Sequence, residues 1–410
     1  MKKTSVLFLL FLSLILTQCD LFSNDSNDPD TPKQITLNDS QKELLVQSNN
    51  FGIQLFKSVP VDKNLMISPL SASIALSMLL NGTNGETATQ MKDMLGYSGQ
   101  SFTTINSSYE NLLDQLLSAD SKVNISVANA IFYRESFPVK LDYLSTLKDS
   151  YNAEVKGLDF ARADAVSTIN SWASKQTNGK INKVINEINQ STVLFLMNAL
   201  YFKGNWSNQF DKDDTSDQNF YLSNGNSIKT PFMHGDVDLI FAESNGLRAI
   251  ELPYGRKNFS MILLLPDYSI SEIYDRLSAE TWNTLTSQLS EQNYWREATV
   301  ILPKFTFSYQ TFLSNQLKSL GMIDAFDPNL ADLRGISDNG NLFVSFVKQN
   351  TFVDVNEEGT EAAAVTTIGV ELTSAPSIDH YVFDKPFVFM IRERTTNAFL
   401  FAGTVLNPAN

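Results

Sequence analysis

The sequence predicts an α+β fold built on a large, mostly antiparallel sheet. Three observations predict it. Helical periodicity is concentrated early in the folded region, before residue 97. Apolar, β-branched runs dominate after residue 190, and the two patterns do not alternate as a parallel βαβ fold requires. No second linker and no internal repeat follows Ser40, so residues 40–410 read as one domain, and 43% hydrophobic residues supply a sizeable core.

The elements follow in order. A first helix is expected near Gln41–Lys57, with Leu44, Leu45, Phe51, Leu55 and Phe56 at buried positions. A second begins at Ser68-Pro69, a cap followed by proline at the first helical position. It carries Ile74, Leu76, Met78 and Leu79 and stops near Asn81-Gly82. A third runs from about Glu86 to Gly96. The stretch Val193 to Phe202 is nearly all apolar, as in a strand covered on both faces. Further strands are expected at Phe259–Leu265, Val300–Phe307 and Asn341–Val355, with Phe387–Ile391 and Ala398–Val405 as a terminal pair. Helices near Thr168–Lys175, Ile270–Leu277 and Thr311–Leu320 lie between them.

The ends and totals bound the function. Lys2 and Lys3 precede the apolar run Val6 to Leu16, which is too short to span a membrane. Leu16-Thr17-Gln18-Cys19 resembles a bacterial lipoprotein signal, with Gln18 where a small residue is usual. The expectation is a signal peptide at 1–18, lipidation at Cys19, and a disordered tether over 19–39 rich in Asp, Pro, Ser and Asn. Export and anchoring to the cell envelope follow. A net charge of −14 and a pI near 4.7 argue against nucleic acid. One cysteine and two distant histidines, His234 and His380, argue against a metal site, and no cofactor is expected.

The segment Asn356-Glu357-Glu358-Gly359-Thr360-Glu361-Ala362-Ala363-Ala364 has the glycine and acidic pair of a turn, yet from Thr360 onward the residues alternate like a strand. One face would carry Thr360, Ala362, Ala364, Thr366, Ile368 and Val370. The other would carry both charges, Glu361 and Glu371. No proline precedes Pro376, so every N–H from Thr360 to Ala375 is free to join a ladder. It is a loop with the pattern of a strand.

With these motifs the chain resembles the serpin family from about residue 40 to its end. The hinge Glu357 to Ala364 is the most specific match. Asn64-Leu65-Met66-Ile67-Ser68-Pro69-Leu70-Ser71, Asn198-Ala199-Leu200-Tyr201-Phe202-Lys203-Gly204-Asn205-Trp206, Leu252-Pro253-Tyr254, Leu264-Leu265-Pro266-Asp267, Leu302-Pro303-Lys304-Phe305, Phe383-Asp384-Lys385-Pro386-Phe387 and Gly403 to Pro408 follow in family order. The resemblance implies a central sheet with further sheets, about eight or nine helices, and a reactive loop over about 357–382. It implies a monomeric suicide inhibitor. A target protease cuts the loop, forms an acyl-enzyme, and is trapped as the loop enters the sheet. Ser68, Ser71, Asn170 and Asn198 would lie where the sheet parts, and Trp206 at the top of the opening. Gln349 stands where the family usually has histidine, so pH dependence tied to that histidine should be absent.

Counted from Glu357, the resemblance puts the cut between Thr373 and Ser374, with Leu372 and Ala375 as nearby alternatives. With no Arg or Lys between Thr360 and Ala375, elastase-, subtilisin- or chymotrypsin-like proteases are expected rather than trypsin-like ones, and cysteine proteases stay open. No polyanion cofactor is expected, because Tyr97 to Leu117 holds no Lys or Arg. The alternatives are a non-inhibitory serpin, a lipid-anchored binding protein, and an enzyme, although the chain has no Gly-x-Ser-x-Gly and no metalloprotease motif.

Overall fold

The computed structural model describes residues 32–292, 295–339, 342–360 and 379–409. Helix α1 (Asp39–Ser58) starts on a capping box. The Asn38 side chain accepts from the Gln41 N–H, and the Gln41 side chain accepts from the Asn38 N–H. Strand β1 (Leu65–Ile67) leads to α2 (Pro69–Leu80), capped by Ser68. Eleven of the twelve residues of α2 are buried, so this helix runs through the interior. Helix α3 (Gly85–Leu95) ends at Gly96, whose φ of +76° favours glycine. Helix α4 (Phe102–Leu116), strand β2 (Val123–Arg134), helix α5 (Leu141–Tyr151), strand β3 (Glu154–Leu158) and helix α6 (Ala165–Gln176) follow.

Strand β4 (Leu194–Asn205) precedes β5 (Ser216–Tyr221), β6 (Ser227–Ser244), β7 (Leu247–Tyr254) and β8 (Phe259–Leu264). Helices α7 (Ile270–Arg276) and α8 (Ala279–Glu291) come next, then β9 (Arg296–Pro303), β10 (Phe305–Phe312) and α9 (Ser314–Ser319). The described chain closes with β11 (Lys348–Asn356), β12 (Gly359–Thr360), β13 (His380–Val382), β14 (Phe387–Glu393) and β15 (Phe399–Val405).

The strands form two sheets. One of nine runs β1-β15-β14-β8-β7-β6-β9-β13, with β5 beside β6, and one of six runs β10-β11-β12-β4-β2-β3. Among the described residues only β2–β3 and β9–β13 pair in parallel. Side-chain alternation gives the six-stranded sheet two covered faces. Leu200 and Phe202 of β4 and Val353 and Val355 of β11 join the main core. Phe195 and Ala199 of β4 lie under α6 with Phe132, whose ring meets Trp172 edge-on at 5.8 Å. Each such large side chain contributes about 1.5–3 kcal/mol by leaving water, so α6 is firmly seated on β2 and β4.

Several expectations need correction. The expected strand Val300–Phe307 is two strands in different sheets, separated by Lys304. The expected helix Thr311–Leu320 begins only at Ser314, because β10 continues to Phe312 and pairs with Lys348. Strand β11 starts at Lys348 rather than near residue 341, and 342–347 lie outside any strand. The body also begins before Ser40. Lys33 and Asn258 exchange backbone-to-amide bonds of 2.8 and 2.7 Å, the Thr36 N–H donates to Gln115 Oε1 at 2.8 Å, and Ile35 and Leu37 are buried. Local charge masked these residues as tether, whereas partners far along the chain order them. Cys19 lies outside the described residues.

Candidate functional site

Between β11 and β4, the only strand among the described residues is β12. It runs antiparallel to both: Thr360 pairs with Val355 and Gly204, and Gly359 with Asn356 and Asn205. A slot between two strands is therefore filled at its upper end by the first two residues of the hinge. Gly359 has φ +151°, and an added Cβ would overlap the Gly204 carbonyl oxygen and come within 2.6 Å of Asn205 Cα. The Thr360 side chain points inward, buried, with its hydroxyl 2.7 Å from the Tyr254 hydroxyl. Burial pushes the Tyr254 pKa well up, so the phenol stays protonated despite its bond to Thr360.

The two glutamates before Gly359 anchor this seat. Glu357 takes Lys304 Nζ at 2.9 Å and the Thr215 hydroxyl at 2.8 Å. Burial alone would raise the Glu357 pKa. Lys304, a backbone N–H and Thr215 outweigh it and hold the carboxyl below its usual range. Glu358 pairs with Lys212, and that bond holds the Lys212 pKa up. Trp206, 4% exposed, closes the top. Its N–H donates to Glu358 O, its indole N–H donates to Asn356 O at 3.0 Å, and its ring stacks on Tyr254 at 4.4 Å.

Lower down, both walls of the slot are tied to the start of α2. From β11, Gln349 accepts from the Ser68 N–H and donates to Ser68 O, both at 2.9 Å. From β4, Asn198 accepts from the Ser71 hydroxyl and donates to Asn129 Oδ1 at 2.5 Å. Asn129 in turn donates to Tyr151 O at 2.7 Å, and Ser68 Oγ both caps α2 and donates to Leu400 O. Ser68, Ser71, Asn198 and Gln349 thus come together, and the amide of Gln349 uses both of its atoms with no titrating group. Asn170 stands apart from them. It accepts from the Val184 and Ile185 N–H groups and donates to Ile185 O, holding the chain between α6 and β4.

Below Gln349 and Asn198 the slot widens into an apolar cavity of about 210 Å³. Ala72 and Leu76 of α2 line its inner side, Leu196 and Val347 its walls, and Val184 and Ile185 its outer side. Residues missed from sequence include Asn129, Tyr254, Thr215, Lys212 and Lys304. Tyr254 and Lys304 are visible as motif members, but only the fold brings them to the hinge. Glu361, Ala362, Ala363, Ala364, Leu372, Thr373, Ser374 and Ala375 lie outside the described residues.

A two-residue strand seated at one end of a slot between β11 and β4, otherwise open among the described residues, defines a class of proteins whose central sheet holds the start of a further strand. The family model for serpins, described as serine protease inhibitors, matches residues 46–408. A leukocyte elastase inhibitor from Xenopus laevis is 34% identical over 375 residues, spanning 88% of this chain and 98% of that protein. The crystal structure of the thermophilic serpin tengpin in its native state has a TM-score of 0.80 at 31% identity, covering 92% of this chain and 96% of its own. The crystal structure of human thyroxine-binding globulin in complex with thyroxine has a TM-score of 0.79 at 27% identity, covering 90% of this chain and 99% of its own. The chain belongs to the serpin family, a family of serine protease inhibitors rather than enzymes.

Proposed function

We propose that this serpin is an inhibitor that traps its target by inserting the cleaved loop as a strand between β11 and β4. One observation carries the reading: β12 already lies there, antiparallel to both neighbours, with the Thr360 side chain facing inward. Strand parity then sends the uncharged alternation of the loop to the core side and its glutamates to the outer side. Continuing the register, a residue six beyond Thr360 meets Val355 − 6 and Gly204 − 6, which sets Thr366 between Gln349 and Asn198. Ten residues on, Val370 reaches the level of Leu194, where β4 begins. Small side chains early in the strand avoid the overpacking cost of about 1–3 kcal/mol that larger ones bring.

The chemistry is the protease's own. Its nucleophile attacks the scissile carbonyl, the acyl-enzyme forms, and the freed N-terminal part of the loop moves into the slot. Thr373–Ser374 is the proposed scissile bond, with Leu372 and Ala375 as the adjacent alternatives. Small or apolar residues there suit elastase-, subtilisin- or chymotrypsin-like enzymes. Export with a lipid on Cys19 remains part of the proposal, supported by Lys2-Lys3, the apolar run and Leu16 to Cys19. A carrier role like that of the thyroxine-binding relative is the second reading, and the uncharged inward face of the loop argues against it.

The test is incubation with a panel of small-pocket, chymotrypsin-like and trypsin-like proteases. Complexes surviving denaturing electrophoresis with the first two groups are expected, together with a marked rise in thermal stability after cleavage. A carrier would be cleaved without either change. Mass spectrometry of the released C-terminal peptide reads the cut.

A further inference from the structure

A cationic face surrounds the point where the folded body begins. The Lys33 N–H donates to Asn258 Oδ1 at 2.8 Å, and the Asn258 amide donates back to Lys33 O at 2.7 Å. Asn258 belongs to the turn between β7 and β8, which also carries Arg256 and Lys257. Asp120, just past α4, ties in Lys122. Its buried carboxylate accepts from the Arg256 N–H at 2.6 Å and from the Lys122 N–H at 2.8 Å. Lys33 Nζ reaches Ser118 Oγ at 3.0 Å. Lys33 and Lys122 are exposed, and Arg256 and Lys257 are half-buried. Among the described residues none of the four forms a salt bridge, although the chain has 45 acidic residues against 31 basic ones. The half-buried Trp295 lies at the same place. Lys257 Nζ is 5.2 Å and Arg394 Cζ 4.7 Å from the centre of its ring, and the Arg394 N–H donates to Asn258 O at 2.7 Å.

We propose that this face docks the body on an anionic lipid surface, with Lys33, Lys122, Arg256 and Lys257 taking phosphate headgroups and Trp295 at headgroup level. The proposal rests on the anchoring reading, in which Cys19 carries a lipid. Only 14 residues lead from Cys19 to Lys33, and a flexible chain of that length spans about 20 Å. An anchored body therefore has Lys33 within reach of the bilayer. The tether supplies no attraction, since Asp20, Asp25, Asp28 and Asp30 are its only charges before Lys33. A chain of net charge −14 approaches anionic lipid only with a positive face leading. Each Lys or Arg close to such a surface strengthens binding about fivefold. Tryptophan suits the same depth, because its ring is apolar and its N–H is polar. The face also borders the seated end of the slot. Val123, next to Lys122, lies opposite Gly204, the partner of Thr360, and the Gly255 N–H donates to Asn205 O. Docking holds that end of the slot nearer the lipid than the cavity end.

The test mixes the full chain with vesicles of phosphatidylcholine alone, or of an equal mixture with phosphatidylglycerol, both carrying brominated acyl chains. Trp172, Trp206 and Trp282 are buried, so quenching of tryptophan fluorescence reports Trp295. Quenching is expected with the mixed vesicles and not with phosphatidylcholine alone, and Trp295→Phe should remove it. Lys33→Gln, Lys122→Gln and Lys257→Gln together should lower the ratio of docked to undocked protein about 100-fold. Lys148→Gln, Lys175→Gln and Lys229→Gln change the charge equally at exposed lysines elsewhere and should leave quenching at the parental level. Equal quenching by both kinds of vesicle, no quenching by the mixed ones, or equal loss in the two triple variants overturns the docking face. Quenching that appears only after Asp25, Asp28 and Asp30 are changed to Asn would put the acidic tether on this face in place of lipid, and overturns it too. Anchoring is read separately. Mass spectrometry showing no acyl group on Cys19 sinks the anchoring reading, while quenching by the mixed vesicles still decides the face.

Discussion

The two ends of the slot between β4 and β11 are built differently. At the upper end Gly359 and Thr360 are in register with both walls, Glu357 and Glu358 are paired with Lys304 and Lys212, and Trp206 closes the top. At the lower end the same walls flank a cavity of about 210 Å³, roofed by Val184 and Ile185 and floored by α2. The polar ties of Ser68 and Ser71 to Gln349 and Asn198 divide the two. The contrast teaches a direction. The upper end is a seated start that fixes register and facing. The lower end is space that, on the proposed insertion, would receive the side chains of a strand extended from that start. A start without the space would be an edge contact, and the space without a start would leave register undefined.

The comparison breaks most severely at Thr360. Thr360→Arg puts a charge on the inward face beside Tyr254, where burial without a partner costs several kcal/mol. Trapped complex should fall by about 100-fold or more while cleavage of the loop continues. Trapping equal to the parent, scored by denaturing electrophoresis, would sink the insertion argument. The next effect should come from Gly359→Val. A side chain there meets the β4 backbone in a conformation that glycine alone adopts readily, a strain of about 3 kcal/mol. Amides of Asn205 and Thr360 should lose exchange protection while the lower wall keeps its own.

Asn129→Ala tests the divide. It removes the acceptor of the Asn198 amide, and a buried donor left unpaired costs about 1–3 kcal/mol. The thermal midpoint should drop accordingly; no change would show that Asn198 re-pairs elsewhere. The smallest effect is acid loosening of the upper end. The folded Glu357 pKa is depressed below the unfolded value of about 4.3. Its contribution is therefore full above that value and lost as pH falls through the folded pKa. Protection at 357–360, corrected for the intrinsic pH dependence of amide exchange, should be flat from pH 8 to 6 and fall below about 4.3. The Gln349 tie should stay flat throughout, because its amide does not titrate.

Much of this is legible in the chain. The cap at Ser68, the left-handed stop at Gly96, the two-face burial of β4 and the terminal pair β14–β15 follow from local chemistry and periodicity. Helices α4 and α5 and strands β2 and β6 are not among the expected elements, although α4 buries a clear helical face of Ile105, Tyr109, Leu112, Leu113 and Leu116. The split of Val300–Phe307 between two sheets falls at Pro303-Lys304, which local pattern marks as a break without saying that the two halves join different sheets. At the site, Ser68, Ser71, Asn198, Gln349 and Trp206 are legible as site residues, while Asn129 and Tyr254 are not. Nothing in a sequence marks which buried asparagine or tyrosine faces which gap.

By itself the sequence determined the family, the α+β class and the alternation of the loop, since each depends on residue type and spacing along the chain. Tertiary structure alone decided that Thr360 faces inward, that the slot is seated above and open below among the described residues, and that Lys348 bonds to Val184. Those are relations between residues up to about 280 positions apart, such as Ser68 and Gln349. Pairing over such separations is set by strand order and register, which no local pattern encodes.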